Sequence, residues 1–243
     1  MANMLEGKLA VVTGVTSGIG AAVAQRLVAE GATVIGIARR GDALQDTATR
    51  SEGRVIPVCG DLGEPHDRAR VIAEIERRAL RIDLLINNAG EAAYASPLEL
   101  GAAWRSLFEI NLHAAIELAV ALAPRIARAG HLINVSSVTA RFAPNVRFAA
   151  YAATKAALDR ATEALRLELD PLGIHVTSLA PGLVATPLYD KIPRFEGTRD
   201  KMARQVPHWL SPVDIADAIV WVVTRPAHMV VAELVMLPSG QGR

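Results

Sequence analysis

The sequence is poor in several residue types, and each shortage narrows the range of possible functions. Its 243 residues include one cysteine, Cys59, so no disulfide can form within the chain and a reducing compartment is expected. Cys59 lies in the apolar run VIPVC, which predicts a buried, unreactive thiol. Acidic residues (25) and basic residues (26) almost cancel, so no charge excess favours nucleic acid or an anionic membrane as a partner.

Long hydrophobic runs and metal-binding motifs are also missing. Although 51% of the residues are hydrophobic, charges or turn residues interrupt every apolar run before it reaches membrane-spanning length. The N-terminal residues MANMLEGKLA lack the apolar core of a signal peptide, so we expect a cytoplasmic protein. The six histidines show no metal-ligand spacing, and we therefore expect no catalytic metal.

Short aliphatic runs alternate along the chain with longer alanine-rich segments of helical period. We predict strands over residues 9–13, 33–38, 54–58, 83–88, 131–136, 175–180 and 233–237, and helices near 18–30, 64–80, 97–128, 150–170 and 211–224. Apolar strands that alternate with helices are typical of βαβ units, in which helices cover both faces of a parallel sheet. No linker or repeat interrupts the pattern, so residues 1–243 are predicted to form a single domain.

One connection is unusually long for a compact domain. Residues 183–210 contain three prolines and scattered charges and show no clear period. A connection of that length is commonly a functional cover or a disordered segment. We predict an irregular, mobile substrate lid at about 183–210.

The first predicted strand leads directly into TGVTSGIG, residues 13–20, where the first helix begins. Gly14, Gly18 and Gly20 have the spacing GxxxGxG, which lets the turn close and lets a pyrophosphate approach the backbone. The free N–H groups and the dipole of the helix N-terminus favour an anion. No lysine follows Gly20, which argues against a triphosphate-binding loop. The context is that of a dinucleotide site.

The ends of the next strands carry further candidate cofactor contacts. Enzymes that select NAD commonly place an acid after the second strand, but here Ala38 is followed by Arg39 and Arg40, which suit the 2′-phosphate of NADP. Asp61, after the third strand, is placed to meet the adenine amino group. The segment NNAG, residues 87–90, ends the fourth strand with small residues that let a cofactor lie close.

A proton-transfer pair is predicted at the start of the helix near 150–170. Tyr151 and Lys155 are four residues apart, so they share one face of the helix. The chain has three tyrosines and four lysines, and such a pair is rare by chance. Ser136 and Ser137 end the fifth strand. We expect the ammonium of Lys155 to lower the pKa of Tyr151, so that the phenol becomes a usable acid for carbonyl reduction.

The motifs TGVTSGIG, NNAG, INVSS, YAATK and LAPG stand in the order found in the short-chain dehydrogenase/reductase family. The chain resembles the branch of that family with chains of about this length. The segment ARR and the ending AELVMLPSGQGR are similar to the NADP-dependent serine dehydrogenase and clavaldehyde reductase subgroup. The resemblance implies a single Rossmann-type, doubly wound, seven-stranded parallel sheet and hydride transfer with a nicotinamide cofactor.

The same resemblance implies roles for individual residues. Tyr151 is the acid/base, Lys155 lowers its pKa and holds the nicotinamide ribose, and Ser137 hydrogen-bonds the substrate oxygen, with Ser136 as the alternative. Asn111 anchors a water that relays protons to Lys155. The predicted NADP-binding residues are Gly14, Thr16, Ser17, Gly18, Ile19, Gly20, Arg39, Arg40, Asp61, Leu62, Asn88, Ala89, Gly90, Tyr151, Lys155, Pro181, Gly182, Val184 and Thr186.

Two functions remain open from the sequence. The first is an NADP-dependent carbonyl reductase or alcohol dehydrogenase, expected as a homodimer or homotetramer that pairs through helices 97–128 and 150–170. Its pocket is predicted to be lined by Phe142, Phe148, Tyr94 and Leu188, which favours a nonpolar ketone or aldehyde. A hydroxy acid stays possible if an arginine binds its carboxylate, and the candidates are Arg141, Arg147 and Arg194. The second function is a dinucleotide sensor of the same fold without catalysis.

Overall fold

The structure, a computed structural model, describes residues 3–96, 98–99, 101–142, 146–192 and 195–242. Seven parallel strands form one sheet in the order β3-β2-β1-β4-β5-β6-β7. The strands are β1 (Leu9–Thr13), β2 (Thr33–Ala38), β3 (Val55–Cys59), β4 (Ile82–Asn87), β5 (Ile126–Val135), β6 (His175–Pro181) and β7 (Glu233–Met236). The predicted seven-stranded, doubly wound parallel sheet is confirmed.

Helices cover both faces of this sheet. They are α1 (Gly18–Ala29), α2 (Gly41–Arg50), α3 (Pro65–Arg78), α4 (Ala103–Phe108), α5 (Ala114–Leu122), α6 (Ala149–Leu169), α7 (Glu196–Gln205) and α8 (Pro212–Val223). Alternate residues of β1 point to opposite faces: Val12 packs with α1 and α8, whereas Val11 packs with α3 and α5. Two apolar cores result, one on each side of the sheet.

The order of the strands fixes where a ligand can bind. Parallel strands all end at the same edge of the sheet, and the strand order reverses between β1 and β4. Open α/β sheets bind ligands in the crevice beyond the carboxyl ends of the strands at such a reversal. The segments that follow β1, β2, β4, β5 and β6 therefore meet at one place.

The structure corrects several element boundaries. Helix α2 was not predicted, although Leu44, Thr47 and Ala48 lie on one buried face at helical spacing. The helix predicted over 97–128 consists of α4, a π-helical turn at Glu109–His113 and α5, and β5 already begins at Ile126. The alanine-rich start of β5 has the composition of a helix, which explains the wrong boundary. Residues 97 and 100 lie outside the described residues.

Two further predictions about local structure were wrong. The segment 183–210 is not irregular throughout, because α7 occupies Glu196–Gln205 within it. Cys59 is exposed rather than buried. It ends β3, which is the edge strand of the sheet, so no neighbouring strand covers it.

One helical segment among the described residues, 103–125, is long and apolar enough to cross a membrane by length and composition alone. The sequence itself predicts no uninterrupted apolar run of that length. Leu118, Ala119 and Leu122 of this segment are fully buried in the core beneath the sheet. In this fold the segment serves as a core helix.

Candidate active site

A cleft of about 850 Å³ lies beyond the carboxyl ends of the strands. Most of the predicted site residues line it, drawn from segments that are far apart in the sequence. The predicted residues in its wall are Gly14, Thr16, Ser17, Gly18, Ile19, Arg39, Arg40, Leu62, Asn88, Ala89, Gly90, Ser137, Tyr151, Lys155, Pro181, Gly182, Val184 and Thr186. Gly20, Asp61 and Asn111 do not line the cleft themselves but contact residues that do, namely Gly14, Arg39 and Glu91.

The glycine turn has the backbone conformation that the sequence predicts. Gly14 and Gly18 adopt φ values of +78° and +55°, which L side chains rarely adopt. A Cβ at Gly20 would collide with the carbonyl of Gly14, so the third glycine lets the helix approach the strand. The Ser17 side chain does not cap α1, and the first turn of α1 holds no acid. The N-terminal amides of α1 are thus available to an anion.

Thr13 holds the segment after β4 against this turn. Its hydroxyl accepts hydrogen bonds from the backbone amides of Asn88 (2.9 Å) and Ala89 (2.8 Å), and its carbonyl accepts one from Asn88 Nδ2 (2.9 Å). Thr13 is 1% exposed, so these bonds are shielded from water. The sequence analysis assigned Thr13 no role, and its only signal was its place at the end of the first strand.

Arg39 extends from the end of β2 into a group of acidic side chains. Its Nη1 lies 2.8 Å from Glu91 Oε1 and 3.6 Å from Asp61 Oδ2. Glu91 lines the cleft directly after the NNAG segment and was not among the predicted site residues. Neither carboxylate contact could be inferred from sequence, because the three residues follow three different strands.

Tyr151 and Lys155 lie one turn apart on α6 and both face the cleft, as predicted. Lys155 is 4% exposed, its Nζ donates to the carbonyl of Val135 at 2.8 Å, and Nζ lies 5.9 Å from the centroid of the Tyr151 ring. Burial lowers the pKa of Lys155 to about 8, and the nearby Asp159 carboxylate opposes that shift.

The expected effect of Lys155 on Tyr151 does not appear in the protein alone. Burial raises the pKa of Tyr151 to about 12, and only a hydrogen bond with the Ser137 side chain acts in the other direction. The cost of removing the phenolate from water therefore outweighs the favourable hydrogen bond with Ser137. The prediction of a lowered pKa is wrong for this state.

The two serines after β5 have different partners. Ser137 lines the cleft, bonds to Tyr151, and accepts a hydrogen bond from the Thr139 hydroxyl at 3.0 Å. Ser136 also borders the cleft, but its hydroxyl donates to the backbone carbonyl of Lys155 at 3.4 Å. Ser136 therefore joins α6 to β5, whereas Ser137 is the serine beside the phenol.

Asn111 lies in the π-helical turn between α4 and α5 and is 1% exposed. Its Oδ1 accepts from the Glu91 amide, and its Nδ2 donates to the Glu91 carbonyl, both at 2.8 Å, and to Thr154 Oγ1 at 3.0 Å. A π turn inside an α-helix is frequent at functional sites. The side chain fixes the backbone after the NNAG segment and links it to α6.

Aromatic side chains gather at the other end of the cleft. Tyr94, Phe142 and Phe148 line it as predicted, and Leu188 lies beside them. The chain has only ten aromatic residues, so their concentration at one end of the cleft marks this end as a candidate binding site. Tyr189, which also lines the cleft, was missed because it belongs to the segment 183–210.

Phe195 packs this segment against the body of the domain. It is 1% exposed, and its ring lies 5.1 Å from Tyr94, 5.6 Å from Phe148 and 5.5 Å from Tyr189, measured between centroids. The first two contacts are edge-to-face, an arrangement that aromatic rings prefer. Phe195 was also missed by the sequence analysis.

The arginines proposed to bind a substrate carboxylate are placed elsewhere. Arg141 pairs with Asp159 at 3.2 Å and Glu233 at 3.5 Å and does not line the cleft. Arg147 also lies outside the lining and has its guanidinium 5.6 Å from the Tyr94 ring centroid. Arg194 is outside the described residues. Lys201 of α7 lines the cleft and was not predicted.

Comparison with known proteins finds relatives that match most of the chain. A family model described as short chain dehydrogenase matches residues 8–197. An uncharacterized oxidoreductase of Staphylococcus epidermidis is 31% identical over 241 residues, which cover 98% of this chain and 100% of that protein.

Solved structures of the same fold cover nearly the whole chain. A short chain dehydrogenase from Burkholderia cenocepacia in complex with NADP matches with a TM-score of 0.88 at 27% identity and covers 98% of both chains. The closed form of serine dehydrogenase complexed with NADP⁺ matches with a TM-score of 0.85 at 28% identity, covering 97% of this chain and 96% of that one. On the family model and the full-length relative together, the chain belongs to the short-chain dehydrogenase family.

Proposed function

We propose that this protein is an NADP(H)-dependent oxidoreductase that interconverts a ketone or aldehyde and the corresponding alcohol. The observation that carries the proposal is the position of Tyr151 and Lys155, which face one cleft together with Ser137 and the glycine turn. Family membership and the NADP complexes of similar structures support the reaction type and the cofactor.

The residues of the cleft fit a nicotinamide dinucleotide. The uncapped N-terminus of α1 and the positive φ of Gly18 suit a pyrophosphate. Arg39 and Arg40 suit the 2′-phosphate. Gly90 lines the cleft without a side chain, which suits a close approach of the cofactor, and a Cβ there would also lie 2.8 Å from Asn111 Oδ1.

Reduction adds a hydride to the carbonyl carbon and a proton to the carbonyl oxygen, and bound NADPH supplies the hydride. Tyr151 supplies the proton, because its phenol is protonated at neutral pH and faces the cleft beside Ser137. Ser137 donates a hydrogen bond to the same substrate oxygen and so stabilises the negative charge that develops there. The ammonium of Lys155 keeps the surroundings of Tyr151 positively charged. It also helps to return a proton to the Tyr151 phenolate after the transfer.

The lining of the cleft favours a mid-sized, largely nonpolar substrate. Tyr94, Phe142, Phe148 and Tyr189 present rings to the substrate end. Arg141 is already paired with two carboxylates, which weakens the case for a hydroxy acid. Lys201 is the cation of the described cleft wall that could still bind a substrate carboxylate, and serine dehydrogenase is among the similar structures.

A substrate panel tests this proposal. NADPH oxidation is followed with aryl and alkyl ketones, aldehydes, ketoses and 3-oxo acids, and NADP⁺ reduction with the matching alcohols and hydroxy acids. We expect the highest kcat/KM with nonpolar carbonyl compounds. Binding of NADPH without turnover of any compound would instead support the sensor function.

We further propose that residues 1–243 form one catalytic domain covered by the lid at 183–210. The contacts of Phe195 with Tyr94 and Phe148 support a lid that closes on the substrate end, and Tyr189 of the same segment stacks on Phe195. A homodimer or homotetramer in the cytoplasm remains our prediction for the assembled enzyme.

A further inference from the structure

Arg39, which the proposed function assigns to the 2′-phosphate of NADP, already has two carboxylate partners. Glu91 is the nearer, at 2.8 Å, and Asp61 is at 3.6 Å. Arg39 follows β2, Asp61 follows β3 and Glu91 follows β4, so the ion pairs connect three strand ends across the dinucleotide end of the cleft. The side chains of Arg39 and Glu91 are 52% and 43% exposed, so a ligand can reach both.

The backbone that carries Glu91 is held in place. The buried Asn111 bonds both to the amide and to the carbonyl of Glu91, each at 2.8 Å. Asp61 is anchored as well, because its Oδ1 accepts from the Gly63 amide at 2.9 Å. The Asp61 carboxylate and the backbone that carries the Glu91 carboxylate are thus both held in place beside Arg39.

The charges at this end of the cleft cancel. Arg39 and Arg40 bring two positive charges, and Asp61 and Glu91 bring two negative charges. The phosphate group of NADP carries more than one negative charge near neutral pH. It therefore meets no net positive charge here, and it must replace Glu91 as the main partner of Arg39. NAD lacks this phosphate and leaves the ion pair intact.

The geometry points to Glu91 as a residue that sets cofactor specificity, because its carboxylate competes with the 2′-phosphate for Arg39 and reduces the preference for NADP over NAD. This inference rests on the proposed function. This role of Glu91 also explains how a carboxylate can influence cofactor choice near the end of β2 although position 38 is alanine. The carboxylate comes from the segment after β4.

Cofactor binding to the whole protein tests this role without any substrate. The dissociation constants of NADPH and NADH are measured by calorimetric titration for wild type, Glu91→Gln, Arg39→Ala and the double variant. We expect Glu91→Gln to raise the ratio Kd(NADH)/Kd(NADPH) by about two- to fivefold, the range set by the strength of an exposed ion pair. The change should shrink at high salt and disappear in the Arg39→Ala background.

Glu163→Gln is the matched control. Its carboxylate pairs with Arg160 at 2.6 Å and is 48% exposed, but it lies on α6 outside the cleft. An unchanged or lower ratio in Glu91→Gln overturns the inference, and so does an equal rise in Glu163→Gln. Failure of wild type to bind either cofactor rejects the proposed function itself, which is a different result.

Discussion

At the scale of single residues, the chemistry depends on how burial and local charge act on Tyr151. The spacing of Tyr151 and Lys155 predicts a phenol with a lowered pKa, yet burial raises that pKa to about 12. Such a phenol is protonated at neutral pH, but a pKa so far above the operating pH makes it a weak proton donor. The reverse reaction needs the phenolate, so additional positive charge near Tyr151 has to accompany alcohol oxidation.

Replacement of Tyr151 by phenylalanine tests the donor directly. Tyr151→Phe keeps the ring and removes the proton, so kcat should fall by about two to four decades, the usual contribution of general acid–base catalysis. The Kd for NADPH should hardly change. Tyr94→Phe is the control, because Tyr94 lines the same cleft but, unlike Tyr151, does not lie on α6 with Lys155. Near-normal kcat in Tyr151→Phe would reject the assignment.

At the scale of elements, β5 and β6 carry a buried histidine pair outside the cleft. His131 and His175 are directly opposite in the sheet, their rings lie 4.8 Å apart, and the Nδ1 atom of each has no hydrogen-bond partner among the described residues. Burial, together with the neighbouring His175, lowers the pKa of His131 to about 4. The fold therefore requires His131 to be neutral.

This pair predicts a loss of stability in mild acid. The pKa of His131 is lower in the folded than in the unfolded chain. At a pH between the folded and the unfolded pKa, protons therefore bind preferentially to the unfolded chain. Stability should then fall as the pH drops from about 6.5 towards 4, with His131 accounting for about 2 kcal/mol between pH 7 and pH 5. Urea unfolding of wild type and His131→Leu measures this, with His66→Gln as the exposed control. Equal pH dependence in wild type and His131→Leu would contradict it.

The segment 183–210 is the second element with a testable behaviour. The buried Phe195 packs this segment against the body of the domain. Loss of a buried phenylalanine ring lowers the free energy of unfolding by about 3–5 kcal/mol. Phe195→Ala should therefore make local unfolding around Arg199, Lys201 and Arg204 easier and raise the rate of tryptic cleavage there by at least about tenfold.

Ligand binding should have the opposite effect on the same cleavage. NADPH together with substrate should protect wild type, because closure over the ligands stabilises the segment. Trp221→Ala serves as the control, since Trp221 is an exposed aromatic residue on α8. Equal cleavage of wild type with and without ligands would count against a closing lid.

At the scale of the whole molecule, exposed apolar side chains on α5 and α6 support the predicted pairing of subunits. Leu167 and Val120 are 72% and 61% exposed. We expect a mass of two or four times the 25.8 kDa chain by light scattering. Leu167→Glu with Val120→Lys should lower that mass by burying unpaired charge in the interface. Leu80→Glu is the control, because Leu80 is 92% exposed beyond α3. A monomeric wild type would contradict the prediction.

The amino-acid sequence by itself determines those features of the protein that depend on neighbours along the chain. Apolar strands that alternate with alanine-rich helices specify the doubly wound sheet. The spacing of apolar residues along each segment fits either a strand or a helix and so selects its backbone geometry. The GxxxGxG turn and the one-turn spacing of Tyr151 and Lys155 are equally local. The missed α2 and the misplaced start of β5 show the limit, since short amphipathic or alanine-rich runs fit more than one element.

Tertiary structure decides whatever joins residues from different strands. It pairs Arg39 with Glu91, which follows another strand, and it pairs Arg141 with Asp159 and so removes that arginine from the cleft. It also packs Phe195 against Tyr94 and Phe148, which line the cleft. Burial is set by the complete fold, and the desolvation that it imposes on Tyr151 reverses the pKa shift predicted from Lys155 alone. Charge pairing and desolvation act through space, so the sequence supplies these groups and only the folded chain decides their partners.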